Sequence, residues 1–141
     1  YSGFPDSVGR GDGMEFQSNI PIYLQLIDMV KLQIVSGTLK PGEKLKSVRE
    51  LAMEHGVNPN TMQKALAELE GIGLLYTMRT AGRYVTEDAE LIASLREQLA
   101  AERIRAFFDE LGRFGYCGEE VTHLLERYMK ERIMNDGTGT V

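Results

Sequence analysis

The sequence predicts a mainly α chain with one small β-hairpin. Apolar residues recur at three- and four-residue spacing over most of its length, which is the signature of helices with one buried face. Two of these stretches, starting at Ser47 and at Asn58, are parted only by Gly56 to Asn58. Short runs of strand formers, Leu74 to Met78 and Arg83 to Thr86, bracket a turn that contains Gly82.

Size and composition bound the reading. At 141 residues the chain suits one ordinary domain, or a small domain with an appendage. Its 43% apolar and 26% charged content is that of a globular protein. No apolar run approaches the ~18 residues of a membrane span, and the N-terminus lacks a basic region followed by an apolar core. One cysteine, Cys117, cannot form an internal disulfide, so the cytoplasm is the default compartment.

The net charge of −5 looks wrong for a nucleic-acid binder. Its distribution does not. Residues 14–86 carry eight Lys or Arg and seven Asp or Glu, a balance of +1, while residues 87–141 carry seven against twelve, a balance of −5. Lys40, Lys44, Lys46, Arg49, Lys64, Arg79 and Arg83 fall in the central stretch. Binding needs a local positive face rather than a basic whole, although ordinary solvated charges would give the same count.

Residues 1–13 hold four glycines and a proline without periodicity. They read as a disordered tail or a cloning remnant, with Met14 as a natural start. The first helix spans 21–36, with Pro21 suited to a first helical position. Tyr23, Leu26, Ile27, Val30 and Ile34 form its buried stripe, which makes it scaffold. Gly37 stops it, and Thr38 to Gly42 is a turn.

The second helix starts at Ser47, with Glu50 three residues on, a capping-box pattern. Val48, Leu51 and Ala52 face inward. The N–H groups of Ser47 and Val48 are candidates to hold a phosphate, with Arg49 beside them.

The third helix is the most informative. Asn58 caps it, Pro59 takes the first turn, and Met62, Ala65, Leu66 and Leu69 form the buried stripe. Its N-terminal end therefore displays Asn60, Thr61, Gln63 and Lys64 together. Asn and Gln can pair with adenine through two bonds, Lys reaches guanine acceptors, and a Thr methyl can touch thymine. A recognition helix offers such residues to the major groove. An ordinary polar helix end would look similar; the helix, three-residue turn and helix ahead of it favour the groove-reading arrangement. The hairpin that follows, with Arg79 and Arg83 beside its tip and Gly82 in it, then reads as a basic wing touching phosphate or the minor groove. A plain stabilising hairpin is the alternative.

After Thr86 the composition turns to acidic helix. Leu91, Leu95, Leu99, Ile104, Phe107, Phe108, Leu111 and Phe114 mark one long amphipathic helix. Gly115 to Gly118 is a break. Val121, Leu124, Leu125, Tyr128 and Met129 mark a last helix ending near Met134, before a frayed tail over 136–141. Two helices can scarcely close a core alone, so their stripes are expected to pack on the first helix, on a second copy or on both, and a dimer is expected. The expected organisation is a winged helix-turn-helix head over 14–86 and a helical dimerisation region over 87–135. Leu95, Leu99, Phe107, Phe108, Leu111, Leu124, Leu125 and Tyr128 are the dimerisation candidates. The aromatic residues Phe107, Phe108, Phe114 and Tyr128 could also line a crevice for a small-molecule effector, though packing is the commoner use.

The segments PIYLQL, SGTLKPGEKLKSVRELA, GVNPNTMQKALAELEGIGLLY and AGRYV resemble, continuously over about residues 20–86, the winged-helix head of GntR-type bacterial transcription regulators. The short two-helix C-terminal part and the NPNT wording are similar to the YtrA subfamily, in which a small helical dimerisation region replaces a large metabolite-binding domain. The resemblance implies a dimeric repressor on a palindromic operator, often of its own operon with transporter genes nearby. By motif it places DNA contacts at Lys46, Ser47, Arg49, Asn58, Asn60, Thr61, Gln63, Lys64, Arg79, Gly82 and Arg83. Two positions depart from many relatives. Lys46 stands where they carry proline, which adds a basic group, and Pro59 stands where they carry arginine, which removes one.

Two other functions compete. An enzyme is poorly supported: His55, His123 and Cys117 have no partners in sequence, Glu119 and Glu120 suit the first turn of the last helix, and no phosphate-cradling loop or metal-ligand spacing appears. No cofactor and no metal are expected. A winged helix used for protein contact, without operator binding, is the second alternative.

Overall fold

Local sequence signals account for where each helix begins and stops. The computed structural model describes residues 16–136; the expected tail over 1–13 and residues 137–141 lie outside them. The described chain forms two compact units, residues 16–97 and 98–136.

In the first unit, α1 runs Ile22–Ser36, α2 Val48–His55 and α3 Pro59–Gly71. Pro21 stands one position before α1 rather than inside it, and offers no side-chain cap. Gln25, buried in α1, compensates. Its amide donates to the carbonyls of Gln17 and Ile20 and accepts from the Gln17 N–H, so it ties down the entering chain. Gly37 and Gly56 close α1 and α2 with φ of 84° and 67°, conformations that cost a side-chain-bearing residue. Leu26, Val30 and Ile34 of α1, Ala52 of α2, and Met62, Ala65, Leu66 and Leu69 of α3 form the core, as their spacing predicts. Tyr23 and Ile27, at the margins of the α1 stripe, are only half-buried.

The hairpin pairs β1 (Leu75–Met78) with β2 (Gly82–Val85) in antiparallel register, Leu75 opposite Val85 and Met78 opposite Gly82. Tyr76 and Tyr84 face each other across it, their rings stacked at 5.7 Å. Thr38 to Gly42 reads as a turn in the sequence, and nothing local signals a pairing for the residues after it. They in fact add a third extended segment. Gly42 N–H donates to Val85 O, Val85 N–H to Glu43 O and Leu45 N–H to Arg83 O, each at 2.9 Å, and Lys44 bridges to Tyr84. β2 is therefore paired on both edges.

α4 runs Ala89–Arg113, and the first unit extends into it as far as Glu97. Ile92 and Leu95 are buried there, and Arg96 donates to the Val35 carbonyl at the end of α1. So the head takes in the opening turns of α4, beyond the change of composition at Thr86. The second unit holds the rest of α4 and α5 (Gly118–Asp136), which continues two residues past Met134. Glu120 accepts from the Cys117 N–H and so caps α5. Leu99 and Val121 are buried in this unit, while Ile104, Phe114, Tyr128 and Met134 stand exposed.

Candidate nucleic-acid interface

The α2 N-terminus is built by the expected capping box. The Ser47 hydroxyl accepts from the Glu50 N–H at 3.1 Å, and the Glu50 carboxylate accepts from the Ser47 N–H at 3.0 Å. These bonds hold the Glu50 carboxyl below the usual carboxylate range. They also correct one expectation: the Ser47 N–H, a candidate phosphate ligand, is already taken. Lys46 is exposed but leans 2.9 Å from Glu54, whose hydrogen bond and charge raise the lysine pKa. Arg49 projects into solvent one position into α2.

At the start of α3 the Asn58 carboxamide oxygen accepts from the Asn60 N–H at 2.7 Å, so that oxygen serves the cap. Asn60, Gln63 and Lys64 are exposed and Thr61 is half-buried. Because Met62, Ala65, Leu66 and Leu69 take the inner face, these four polar residues share the N-terminal end of the outer one. The Lys64 ammonium sits 3.8 Å above the centre of the Tyr23 ring, a cation–π contact that restricts a flexible side chain. Ile22, Tyr23, Asn60, Thr61 and Lys64 line one shallow depression. Tyr23, which spacing alone puts in the buried α1 stripe, thus belongs to this surface. A ring with a polar tip at the end of an aliphatic stripe was the available signal.

The wing differs from expectation in its charges. Arg79 lies exposed at the tip, where residues 79–81 turn the chain. The sequence predicts Arg83 as the second basic residue flanking that tip. Instead its Nε donates to Glu70 at 3.3 Å, and its side chain is only 18% exposed. The Thr77 hydroxyl donates to the same carboxylate. Thr77 and Arg83 are register partners on β1 and β2, so Glu70 at the end of α3 clasps both strands. Gly82 has φ of 108°. A Cβ built there would meet the Lys44 side chain at 3.2 Å.

Among the described residues no cluster of His, Cys, Asp or Glu could hold a metal ion, and no helix is long and apolar enough to cross a membrane. Of the dimerisation candidates, Leu95 and Leu99 are buried within the single chain, at 6% and 5% exposure. Phe108, Leu111 and Leu124 are half-buried, and Phe107, Leu125 and Tyr128 are exposed.

Comparison with known proteins fits this geometry. Residues 22–85 match the family described as bacterial regulatory proteins, gntR family. The chain is 47% identical over 121 residues to the HTH-type transcriptional repressor YtrA of Bacillus subtilis, an alignment covering 82% of this chain and 86% of that protein. It is 39% identical over 107 residues to the uncharacterized HTH-type transcriptional regulator YhcF of the same organism, covering 76% and 88%. Its fold is similar to that of a GntR family transcriptional regulator from Listeria monocytogenes, with a TM-score of 0.72 and 38% identity over 79% of this chain and 98% of the other. A capped helix-turn-helix followed by a clasped wing, with similarity extending through nearly the whole length of these regulators, means that the chain belongs to the GntR family, in its YtrA-like branch.

Proposed function

We propose that the protein is a cytoplasmic, dimeric, sequence-specific DNA-binding repressor that reads a palindromic operator. The observation that carries this reading is the N-terminal end of α3. Asn60, Gln63 and Lys64 are exposed there on a helix whose other face is fully committed to the core. Asn60 and Gln63 present paired donor and acceptor groups to adenine edges, Lys64 a donor to guanine, and Thr61 a methyl to thymine. Arg49 on α2 and Arg79 on the wing contact the phosphates on either side and set the register of the helix in the groove. The capping of α2 and α3 by Ser47 and Asn58 makes those two residues positioning groups: they fix the helix ends from which the contacts project. The similarity to the repressor YtrA supports repression as the outcome, with the chain's own operon as the first promoter to try.

Two heads related by a twofold axis would meet half-sites about one helical turn apart. With three or four phosphates neutralised by each head, log affinity falls against log salt with a slope of about −5 to −7. Titration of a selected duplex at several salt concentrations tests this. Arg49→Ala should weaken binding to every sequence, whereas Gln63→Ala should change which bases are preferred. A flat salt response would overturn the proposal.

A further inference from the structure

We propose that Lys44 is a phosphate contact of the wing, carried there by the third extended segment and routed across the bare face of Gly82. The inference rests on the DNA-binding reading and adds a residue that the helix-turn-helix pattern does not nominate.

The backbone fixes where Lys44 starts. Hydrogen bonds at Gly42, Glu43 and Leu45 on either side of it, all to β2, leave the segment no freedom to slide. Side chains alternate along extended backbone. Leu45 is buried, so Lys44 points away from the core, where it is exposed. Its Cε would come within 3.2 Å of a Cβ at position 82. The missing side chain of Gly82 is thus the track along which the lysine stem crosses β2. The bridge Lys44 to Tyr84 sets the height of that crossing.

The charges of the neighbours decide what the ammonium is for. Arg83 is held by Glu70, and Lys46 is held by Glu54. Glu43, next in sequence, accepts from the Lys40 N–H and lies on the opposite side of the strand alternation. Lys44 has no acidic partner among the described residues. A flexible ammonium of this kind suits a phosphate oxygen, a point-charge target, rather than the two-bond geometry of a base edge. The positive face of the wing is therefore Lys44 with Arg79.

The test uses the full chain, a duplex selected by the protein from a random-sequence library, and an unrelated duplex of equal length. Lys44→Gln keeps the stem and removes the charge; Lys44→Arg restores the charge; Arg49→Ala serves as the reference loss. Thermal melts confirm that each variant folds. Lys44→Gln should lower affinity for both duplexes roughly tenfold at moderate salt and reduce the magnitude of the salt slope by about 2 per dimer, one phosphate for each head. Lys44→Arg should keep the wild-type slope. If Lys44→Gln retains the full slope while Arg49→Ala loses part of it, the head docks and the Lys44 assignment is wrong. A loss confined to the selected duplex would make Lys44 a base reader and overturn the phosphate assignment. If the wild-type chain shows no salt-dependent duplex binding, the regulator reading itself falls, and this inference with it.

Discussion

Arg83 shows how one ion pair redirects a functional expectation. In the sequence it is a basic residue beside a turn, and a basic wing follows. In the fold it is mostly covered and, with Thr77, holds the Glu70 carboxylate. Its work is to fasten the hairpin to the end of α3. Arg83→Ala would leave Glu70 partly buried with one partner fewer, which costs about 1–2 kcal/mol of folding stability. Urea denaturation should show that loss, and the salt slope of DNA binding should stay unchanged, because the lost charge was already compensated. The same clasp sets a pH dependence. The Thr77 hydroxyl foremost, and then Arg83, hold the Glu70 carboxyl below its ordinary value against the opposing effect of burial. A carboxyl depressed in the folded state contributes stability that is complete above the unfolded value of about 4.3 and is lost as pH falls through the lower folded value. Glu50, Glu54 and Glu120 are shifted in the same direction by their own hydrogen bonds. Thermal midpoints should therefore be flat from neutral pH to about 5 and drop below about 4. Glu70→Gln, which has no charge to lose there, should drop less steeply over that range.

At the scale of the element, α3 has one face committed to the core and one proposed to read bases, and substitutions should separate the two. Leu66 is fully buried. Leu66→Ala should cost about 2–5 kcal/mol of stability and weaken DNA binding only as far as it unfolds the head. Gln63 is exposed, so Gln63→Ala should change stability by less than about 0.5 kcal/mol. It should nevertheless shift base discrimination at one operator position by about 1–3 kcal/mol. Denaturant curves and binding to a set of single-base operator variants, run on both proteins, check the separation. This division was legible in the sequence because each of its signals is local: the Asn58 cap, Pro59 behind it, a stripe at helical spacing and glycines at the end. The features that escaped depend on partners remote in the chain. Lys44 joins the wing only through the pairing of its segment with β2, and the neighbouring Pro41 and Gly42 speak for a turn. Arg83 finds Glu70 only when the hairpin folds back on α3. Tyr23 is tied to the α3 surface only by the Lys64 ammonium above its ring. In each case spacing gave the element, and tertiary contact gave the side chain its role.

For the whole molecule the question is what covers the second unit. Its described surface leaves Ile104, Phe107, Phe114, Leu125, Tyr128, Met129 and Ile133 exposed, with Phe114 at 67% and Tyr128 at 62%. Large apolar side chains left open to water in such numbers mark an interaction surface where they adjoin, and a self-complementary patch related by a twofold axis is the commonest way to bury one. Of the residues proposed for this seam, Leu95 and Leu99 are already covered within one chain and Phe108, Leu111 and Leu124 are half-buried, so the contact is expected to centre on Phe107, Leu125 and Tyr128. Joining two heads makes the second half-site encounter intramolecular, which raises avidity by roughly 10²–10⁴ without any new base contact. Replacing both Leu125 and Tyr128 with lysine should therefore shift sedimentation equilibrium from dimer to monomer. It should leave the melting of the head nearly unchanged and lower affinity for a palindromic duplex by about that factor, while affinity for a single half-site stays where it was. A variant that remained dimeric and kept palindrome affinity would place the seam elsewhere on the chain. One that became monomeric yet still bound the palindrome at full strength would show that each head acts alone.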